Sequence, residues 1–423
     1  MRFKDFDRSI IKKNVKYSVD TITDIIKTIG PRESGSKEAF AAEEKLKAEL
    51  EKFADEVHYE EYQMAPRAFL GFTKVVSTGI VGAITAAGVV KKFTKAKEYV
   101  PHAIVGAATI GGLSVTGLEF LLYKRFTDGL YKKATGHNLI ATRKATEETR
   151  KRIIIGGHID SEYEWRHTYY GGGKLMGPLM GSTIVTSIAT AAVSSINAVA
   201  SAAKIDNSFT RVLKKAALPL YLFEIPNMAT LFAFINHKVL SPGANDNLTG
   251  TMAAVSALKM LDEAGVRFKY TDVVCHINDG EEAGLRGVKQ YAKDHRDEFV
   301  NSDVETHVLC VDTLKDLPYL NVYNRDMTGT VRHDQKFSQL VMDAAIEAGH
   351  NDLQFANVFF GSSDAAAFTQ EGVSATCLAA MDPTPAYYYH NRLDNYDTLD
   401  PEAIEVGYDI VLSTILKFAD EDD

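Results

Sequence analysis

The chain has 423 residues, 45% of them apolar and 24% charged, a composition typical of a folded globular protein and not of a disordered one. Its formal net charge is −9 and no Lys- or Arg-rich stripe stands out, so nucleic acid is not expected as a partner. The length predicts either two domains or one core with sizeable insertions. The beginning MRFKDFDRSIIKKN lacks the apolar stretch of a signal peptide, and the cysteines lie in apolar runs, which predicts a cytoplasmic protein with reduced thiols.

The first sixty residues predict two helices followed by a strand. SVDTITDIIKTIG has apolar residues at helical spacing and ends at Gly30-Pro31. Ser36 is a typical helix N-cap, and the segment after it is rich in helix-forming residues. The alternating segment VHYEEYQM predicts a strand.

Two apolar helical hairpins are predicted to interrupt this pattern. Residues 75–90 and 101–118 contain no Asp, Glu, Lys or Arg and are separated by KKFTKAKE. Residues 175–203 and the segment ALPLYLFEIPNMATLFAFIN form a second pair, separated by KIDNSFTRVLKK. Their length suits a membrane span, and their many small residues suit close helix packing either in a bilayer or in a soluble dimerisation arm. The location is therefore expected to be cytoplasmic, with membrane association or self-association through residues 75–118 and 175–237 left open.

Outside the hairpins, apolar strands alternate with amphipathic helices. RIIIGGH, DVVCHI, THVLCVD and VSATCLA predict strands, and the segments between them predict helices. This alternation predicts an α/β fold with a mostly parallel central sheet and helices on both faces. The predicted domains are residues 1–66, 127–165 and 240–423 for the sheet domain, with residues 67–126 and 166–239 as the two hairpin insertions.

Acidic and histidine side chains follow several of these strands. In parallel sheets the carboxyl ends of the strands meet at one edge, where ligands bind. Several carboxylates brought together there require cations, and histidines among them favour zinc over magnesium or calcium. Taken singly, each residue also has an ordinary structural role open to it, such as a helix N-cap or a solvated turn. The residues concerned are His158, Asp160, Asp246, Glu281, Glu282, Asp312 and His390.

Five segments carrying these residues resemble the co-catalytic di-zinc aminopeptidase family, which includes bacterial leucyl aminopeptidases, glutamate carboxypeptidases and the single-zinc glutaminyl cyclases. GGHIDS, SPGANDNLTG, NDGEEAGLRG, VLCVD and YYYHNRLDNYDTLD occur in the family's order. The resemblance extends over residues 20–66, 136–161 and 240–423 and leaves both hairpins uncovered. It therefore implies a zinc aminopeptidase-like fold for the sheet domain only.

The resemblance also implies roles for the individual residues. It assigns His158 and Asp312 to one zinc ion, Glu282 and His390 to a second, and Asp246 to both. Asp160 would orient the His158 ring, and Glu281 would be the general base acting on a water that bridges the two ions. The implied activity is the hydrolysis of the N-terminal peptide bond of a peptide with a free N-terminus.

Other functions remain open at this point. The same residues could serve a zinc carboxypeptidase, a dipeptidase or an amidohydrolase of a non-peptide amide. A catalytically inactive membrane or interaction protein with a peptidase fold is a minor alternative, because every implied ligand position is filled. Trp165 and Arg166 lie in EYEWRHTYYGGGK, a loop that suggests substrate contact but fits an ordinary surface loop equally well.

Overall fold

The computed structural model describes residues 6–358 and 360–420, which divide by their internal packing into two units. The sheet unit consists of Met1–Pro66, Lys132–Glu164 and His237–Asp423. The helical unit consists of Arg67–Tyr131 and Trp165–Asn236.

Eleven strands occur among the described residues, and nine of them form one sheet. The strands are β1 Glu56–Met64, β2 Ala134–Arg143, β3 Lys151–His158, β4 Tyr163–Trp165, β5 Ile235–Leu240, β6 Thr271–Asn278, β7 Glu305–Leu314, β8 Leu320–Asp326, β9 Val331–Arg332, β10 Phe355–Asn357 and β11 Ser374–Ala380. The large sheet has the order β1-β2-β6-β3-β7-β11-β8-β10, with β9 paired to β8. Strands β4 and β5 form a separate two-stranded sheet.

The large sheet is mixed, and its parallel part is the centre. Strands β6, β3, β7 and β11 are parallel to one another, whereas β2 and β8 pair with this centre in antiparallel fashion. The predicted α/β fold is confirmed, and the parallel strands β3, β6, β7 and β11 are the four that the apolar runs predicted. Ile153, Ile154 and Ile155 of β3 are all fully buried. Because consecutive side chains of a strand point to opposite faces, both faces of the sheet must be covered here.

Among the described residues, eight α-helices belong to the sheet unit and four form the helical unit. Those of the sheet unit are α1 Ser9–Thr28, α2 Lys37–Leu50, α7 Thr249–Glu263, α8 Arg286–Asp294, α9 Arg296–Val300, α10 Gln335–Glu347, α11 Asp364–Gln370 and α12 Pro401–Asp420. Those of the helical unit are α3 Ala68–Phe93, α4 Tyr99–Thr116, α5 Arg166–Ala202 and α6 Ser208–Ala233. The first helix ends just before Gly30-Pro31, and the Ser36 side chain accepts a hydrogen bond from Ala39 N as the N-cap of α2, both as predicted.

The two glycines at the end of β3 face opposite sides of the sheet. A Cβ on Gly157 would lie 2.6 Å from the backbone nitrogen of Thr251 in α7, so only glycine allows this helix to pack so closely. A Cβ on Gly156 would instead face His276, whose ring stacks on Tyr291 of α8. Helices α7 and α8 therefore cover the two faces of the sheet at the end of β3, next to His158.

The helical unit is an antiparallel arrangement of four long helices. Helix α3 packs on α4, α4 on α5, α5 on α6, and α6 again on α3. The two hairpin tips meet at one end, where the Lys214 ammonium lies 3.2 Å from the Glu98 carboxylate. By length and composition, all four helices are long and apolar enough to cross a membrane.

Candidate metal centre

His158 is placed by the carboxyl end of β3 and held from behind by its own loop. Its Nδ1 atom lies 3.2 Å from the backbone oxygen of Asp160 and 3.4 Å from the Asp160 carboxylate. The other ring nitrogen, Nε2, therefore points away from the loop, and it lies 3.4 Å from Asp246 Oδ1. This is the arrangement in which one ring nitrogen is oriented by an acceptor and the other is available to a metal.

Asp246 lies between two histidines. Its Oδ1 atom faces His158, and its Oδ2 atom lies 3.1 Å from Nε2 of His390. The residue belongs to the Gly/Pro/Asn loop before α7, and the peptide bond that follows it is cis. Two carboxylate oxygens directed at two separate imidazoles make Asp246 the shared member of two donor groups.

The adjacent glutamates after β6 face different parts of this cluster. Glu282 Oε2 lies 3.3 Å from Nε2 of His390, whereas Glu281 Oε2 lies 3.9 Å from Nε2 of His158. The Asp160 carboxylate accepts hydrogen bonds from the backbone nitrogens of both glutamates, at 3.3 and 3.1 Å, and from the Ser34 hydroxyl at 2.6 Å. Asp160 therefore fixes the loop that carries the glutamates in addition to facing His158.

Asp312 and His390 complete the assembly from β7 and from the segment after β11. Donor atoms of His158, Asp246 and Asp312 lie within 4.8 Å of one another, and so do those of Asp246, Glu282 and His390. His390 has a φ of 48°, in the left-handed region that non-glycine residues rarely adopt, which indicates that the surrounding loop holds it in place. The structure thus brings all five predicted ligands together, and their individual roles stay predictions.

The donor set fits zinc. Two ligand atoms each about 2.0–2.1 Å from a tetrahedral zinc ion lie roughly 3.3 Å apart. The distances from His158 and His390 to Asp246, and from His390 to Glu282, are 3.1–3.4 Å. Glu282 Oε1 is buried and has no hydrogen-bond donor among the described residues, as expected of an oxygen reserved for a cation.

The electrostatics of the cluster also indicate a cation site. Burial alone would lower the pKa of His158 and of His390, but the surrounding carboxylates raise both pKa values well above the usual range. Burial raises the pKa of Glu282 to about 7, opposed by His390, and that of Asp312 to about 6, with Asp246 adding to it. The pKa of Asp246 is lowered despite its burial, because both histidines face it. Metal ions would take the place of the protons that this cluster otherwise retains.

A further buried acid, Asp394, supports the site and was not predicted. Its carboxylate accepts hydrogen bonds from the backbone nitrogens of Asn245 and Asp246, at 2.8 and 3.0 Å, and from the Asn245 side-chain amide at 2.7 Å. Burial raises its pKa to about 7. The available signal was its position in YYYHNRLDNYDT, four residues after His390, but nothing in the sequence indicated which loop it would hold.

Trp165 and Arg166 lie in the helical unit and have structural contacts there. The Trp165 ring packs on Phe234 with 4.7 Å between ring centroids. The Arg166 guanidinium donates hydrogen bonds to the backbone oxygens of Ala233 and Ile235 and to the Asn236 side chain. These contacts account for both residues without a substrate, and their assignment to substrate contact stays a prediction.

A family model described as Peptidase family M28 matches residues 226–415, which is less than half of the chain. The matched segment contains every predicted metal ligand except His158. These findings confirm the family resemblance. The match supports a peptidase of the M28 type, and the donor set described above supports a metal-dependent peptidase. A search among curated proteins found no match.

Several solved structures share the fold of this M28-like chain. BSAP, a zinc aminopeptidase from Bacillus subtilis, is similar with a TM-score of 0.56 and 15% sequence identity, over 97% of this chain and 96% of that one. An aminopeptidase from Aneurinibacillus sp. strain AM-1 gives a TM-score of 0.52 at 15% identity, over 98% and 94%. The glutaminyl cyclase of Porphyromonas gingivalis gives 0.53 at 11% identity, over 99% of both chains.

Proposed function

We propose that this chain is a zinc-dependent exopeptidase that hydrolyses the N-terminal peptide bond of peptides. The observation that carries the proposal is the position of Asp246, whose two oxygens face His158 and His390 in two donor groups beside Glu281. The M28 match and the fold shared with zinc aminopeptidases support the same function.

The residues divide naturally between two ions. His158 and Asp312 would hold one zinc ion, Glu282 and His390 would hold the other, and Asp246 would contact both. When bound, zinc polarises a substrate carbonyl and makes water more acidic. Asp160 keeps the His158 ring and the backbone of the two glutamates in position for that purpose.

Glu281 is proposed as the general base. Its side chain is 11% exposed. Burial raises its pKa, with His158 opposing and Glu282 adding to the shift. A carboxylate with a raised pKa accepts the proton of an attacking water more readily and can then donate it to the leaving amine. The separate directions of the adjacent glutamates allow Glu282 to bind metal while Glu281 remains free to carry the proton.

The proposal is tested with matched short peptides that have free or acetylated N-termini, with and without a zinc chelator. We expect cleavage of the free series only, abolished by chelation. Glu281→Gln should keep its zinc and lose roughly 10²–10⁴ in rate, whereas Glu148→Gln, an exposed control, should retain full activity. Cleavage of acetylated peptides from the carboxyl end would replace the proposal with a carboxypeptidase.

Glutaminyl cyclases are among the similar structures, so the products must be identified. A peptide that begins with glutamine distinguishes the two reactions by mass. Hydrolysis releases free glutamine and a peptide shortened by one residue, whereas cyclisation releases ammonia and leaves the peptide at full length. Loss of ammonia without shortening would refute the peptidase assignment.

A further inference from the structure

Helix α5 of the helical unit has the reverse of the distribution of side chains found in a helix of a water-soluble bundle. Along α5, Ile184, Val185 and Ile188 are exposed, with 49–67% of their surfaces accessible. On the same helix Thr190, Ser194 and Asn197 are buried. A soluble helix places its apolar stripe inside and its polar face in water. Here the apolar side chains lie outside and the polar ones inside.

Several of the buried polar side chains of α5 form hydrogen bonds with side chains of α6. The Glu224 carboxylate accepts hydrogen bonds from the Ser187 hydroxyl at 2.6 Å and from the Thr190 hydroxyl at 3.4 Å. The Ser194 hydroxyl donates to the Tyr221 hydroxyl at 2.8 Å. Polar and ionisable groups within a membrane face the bundle interior and pair in this way.

Small residues bring the helices of the unit close together. A Cβ on Gly106 of α4 would lie 3.2–3.4 Å from atoms of Ser194 and Ser195 on α5. A Cβ on Gly112 would lie 3.0 Å from the side chains of Val76 and Ile80 on α3. Close approach at small residues is typical of helix packing in lipid, where burial of apolar side chains between helices gives no advantage over contact with lipid.

The outward-facing apolar side chains occur on all four helices. A soluble protein rarely exposes so many large apolar residues on one unit, and a second copy of the chain would cover only one side of it. A 26-residue helix such as α3 or α6 is about 39 Å long, enough for the roughly 30 Å hydrocarbon core of a bilayer. The exposed residues include Val75, Val89, Ile110, Ile184, Val185, Ile188, Ile196, Val199, Val212, Leu218, Leu222, Phe223 and Phe232.

Basic residues mark the hairpin tips. Lys91, Lys92, Lys95 and Lys97 lie at the first tip, and Lys204, Arg211, Lys214 and Lys215 lie at or near the second. Ammonium and guanidinium groups at the ends of apolar helices are placed to contact phosphate groups of lipids. The charge at the tips is therefore complementary to a membrane surface.

We propose that the helical unit spans a lipid bilayer as a four-helix bundle. Both hairpins turn at the same end of the bundle, so every connection to the rest of the chain leaves from the other end. The tips therefore lie on the opposite side of the bilayer from these connections. This inference rests on the helical unit alone and is independent of the proposed peptidase activity.

The test uses single cysteines in the full-length chain, because the native Cys275, Cys310 and Cys377 are buried. One exposed residue near the middle of each helix is replaced, giving Thr85→Cys, Ile110→Cys, Val185→Cys and Leu222→Cys. Lys95→Cys reports on a tip, and Ile346→Cys, at an exposed position of α10, reports on the sheet unit. Each variant is treated with a membrane-impermeant maleimide in sealed host membranes and again after permeabilisation.

We expect all four mid-helix cysteines to resist labelling in both states. Lys95→Cys and Ile346→Cys should label from opposite sides, so that one of them reacts only after permeabilisation. Extraction at alkaline pH should leave the wild-type protein in the membrane pellet. Rapid labelling of all four mid-helix positions would overturn the proposal in favour of a soluble arm. Protection on one or two helices only, with release as a dimer, would overturn it in favour of a second copy.

Discussion

Replacement of Asp394 by asparagine tests whether hydrogen bonds to Asp394 stabilise the loop that carries Asp246. Asp394 accepts three hydrogen bonds, whereas an asparagine in its place would keep one acceptor oxygen and present an amide donor to backbone N–H groups. Loss of one hydrogen bond to a charged group costs about 1.5–3 kcal/mol, and the donor left without a partner adds about 1–3 kcal/mol. If about 3 kcal/mol of this total falls on the metal-bound state, zinc affinity decreases roughly 100-fold. Changes to groups that orient metal ligands generally cost about 10–100-fold, which agrees with this value.

The assay is competition for zinc between the purified protein and a chelator of known affinity, with Asp394→Asn compared with wild type. Asp397→Asn is the matched control, since it makes the same change of charge three residues further along the chain at an exposed position. We expect the control to bind zinc as wild type does. Equal affinity for Asp394→Asn and wild type, or an equal loss in the control, would show that Asp394 does not support the Asp246 loop.

Three further predictions follow from other parts of the sheet unit. Hydrogen bonds to Glu298 and Glu60 raise the pKa of His295 from 6.5 to about 9. The protonated ring therefore contributes its full stabilisation below pH 6.5, and this contribution is lost as the pH rises through 9. His295→Gln should therefore lower the free energy of unfolding by about 1–2 kcal/mol more at pH 6 than at pH 10, as measured by thermal unfolding, because the ring contacts with Tyr291 and Phe299 are lost at both pH values. The buried Arg32 guanidinium donates hydrogen bonds to the backbone oxygens of Ile159, Pro242 and Gly243. Arg32→Lys should therefore lower the free energy of unfolding by about 2–4 kcal/mol, whereas the exposed control Arg296→Lys should not. Equal unfolding midpoints for the two variants would contradict this prediction. Zinc binding should release protons and strengthen as the pH rises above 6.5, because the pKa values of His158 and His390 are raised in the metal-free protein. Calorimetry in buffers of different ionisation enthalpy measures this release, and its absence would show that the two histidines carry no proton before the metal binds.

The central strands and the candidate site could be predicted from the sequence because they obey simple local rules. β3 and β6 are short apolar runs flanked by polar loops, and parallel strands bring their carboxyl ends to one edge. That geometry is sufficient to bring His158 and Glu282 together without knowledge of any contact distance, whereas Asp246 lies in the loop before α7 and its place was implied by the family resemblance.

The antiparallel edge of the sheet could not be predicted in the same way. β8 and β10 have the sequences LNVYNRD and FAN, in which polar residues interrupt the apolar pattern of a buried strand. Their positions are set by pairing with β11 and with each other and not by local preference.

Long-range polar contacts around the site could not be predicted from the sequence either. Arg392 donates two hydrogen bonds to the carboxylate of Glu164, at 2.6 and 2.8 Å, although the residues are 228 positions apart. In the sequence, each of the two is an ordinary charged residue with no sign of its partner. Only the folded chain shows that the segment after β3 and the segment carrying His390 are joined by an ion pair.

The positions of the four helices along the chain determine the order in which the molecule is made. Helices α3 to α6 all precede Asp246, and His158 lies between the two hairpins. A ribosome therefore completes the whole helical unit before it supplies four of the five candidate ligands. If the hairpins enter a membrane during synthesis, the peptide chain is anchored there before it can bind metal. Any proteolytic activity of this protein then begins at the membrane and never in a freely diffusing precursor.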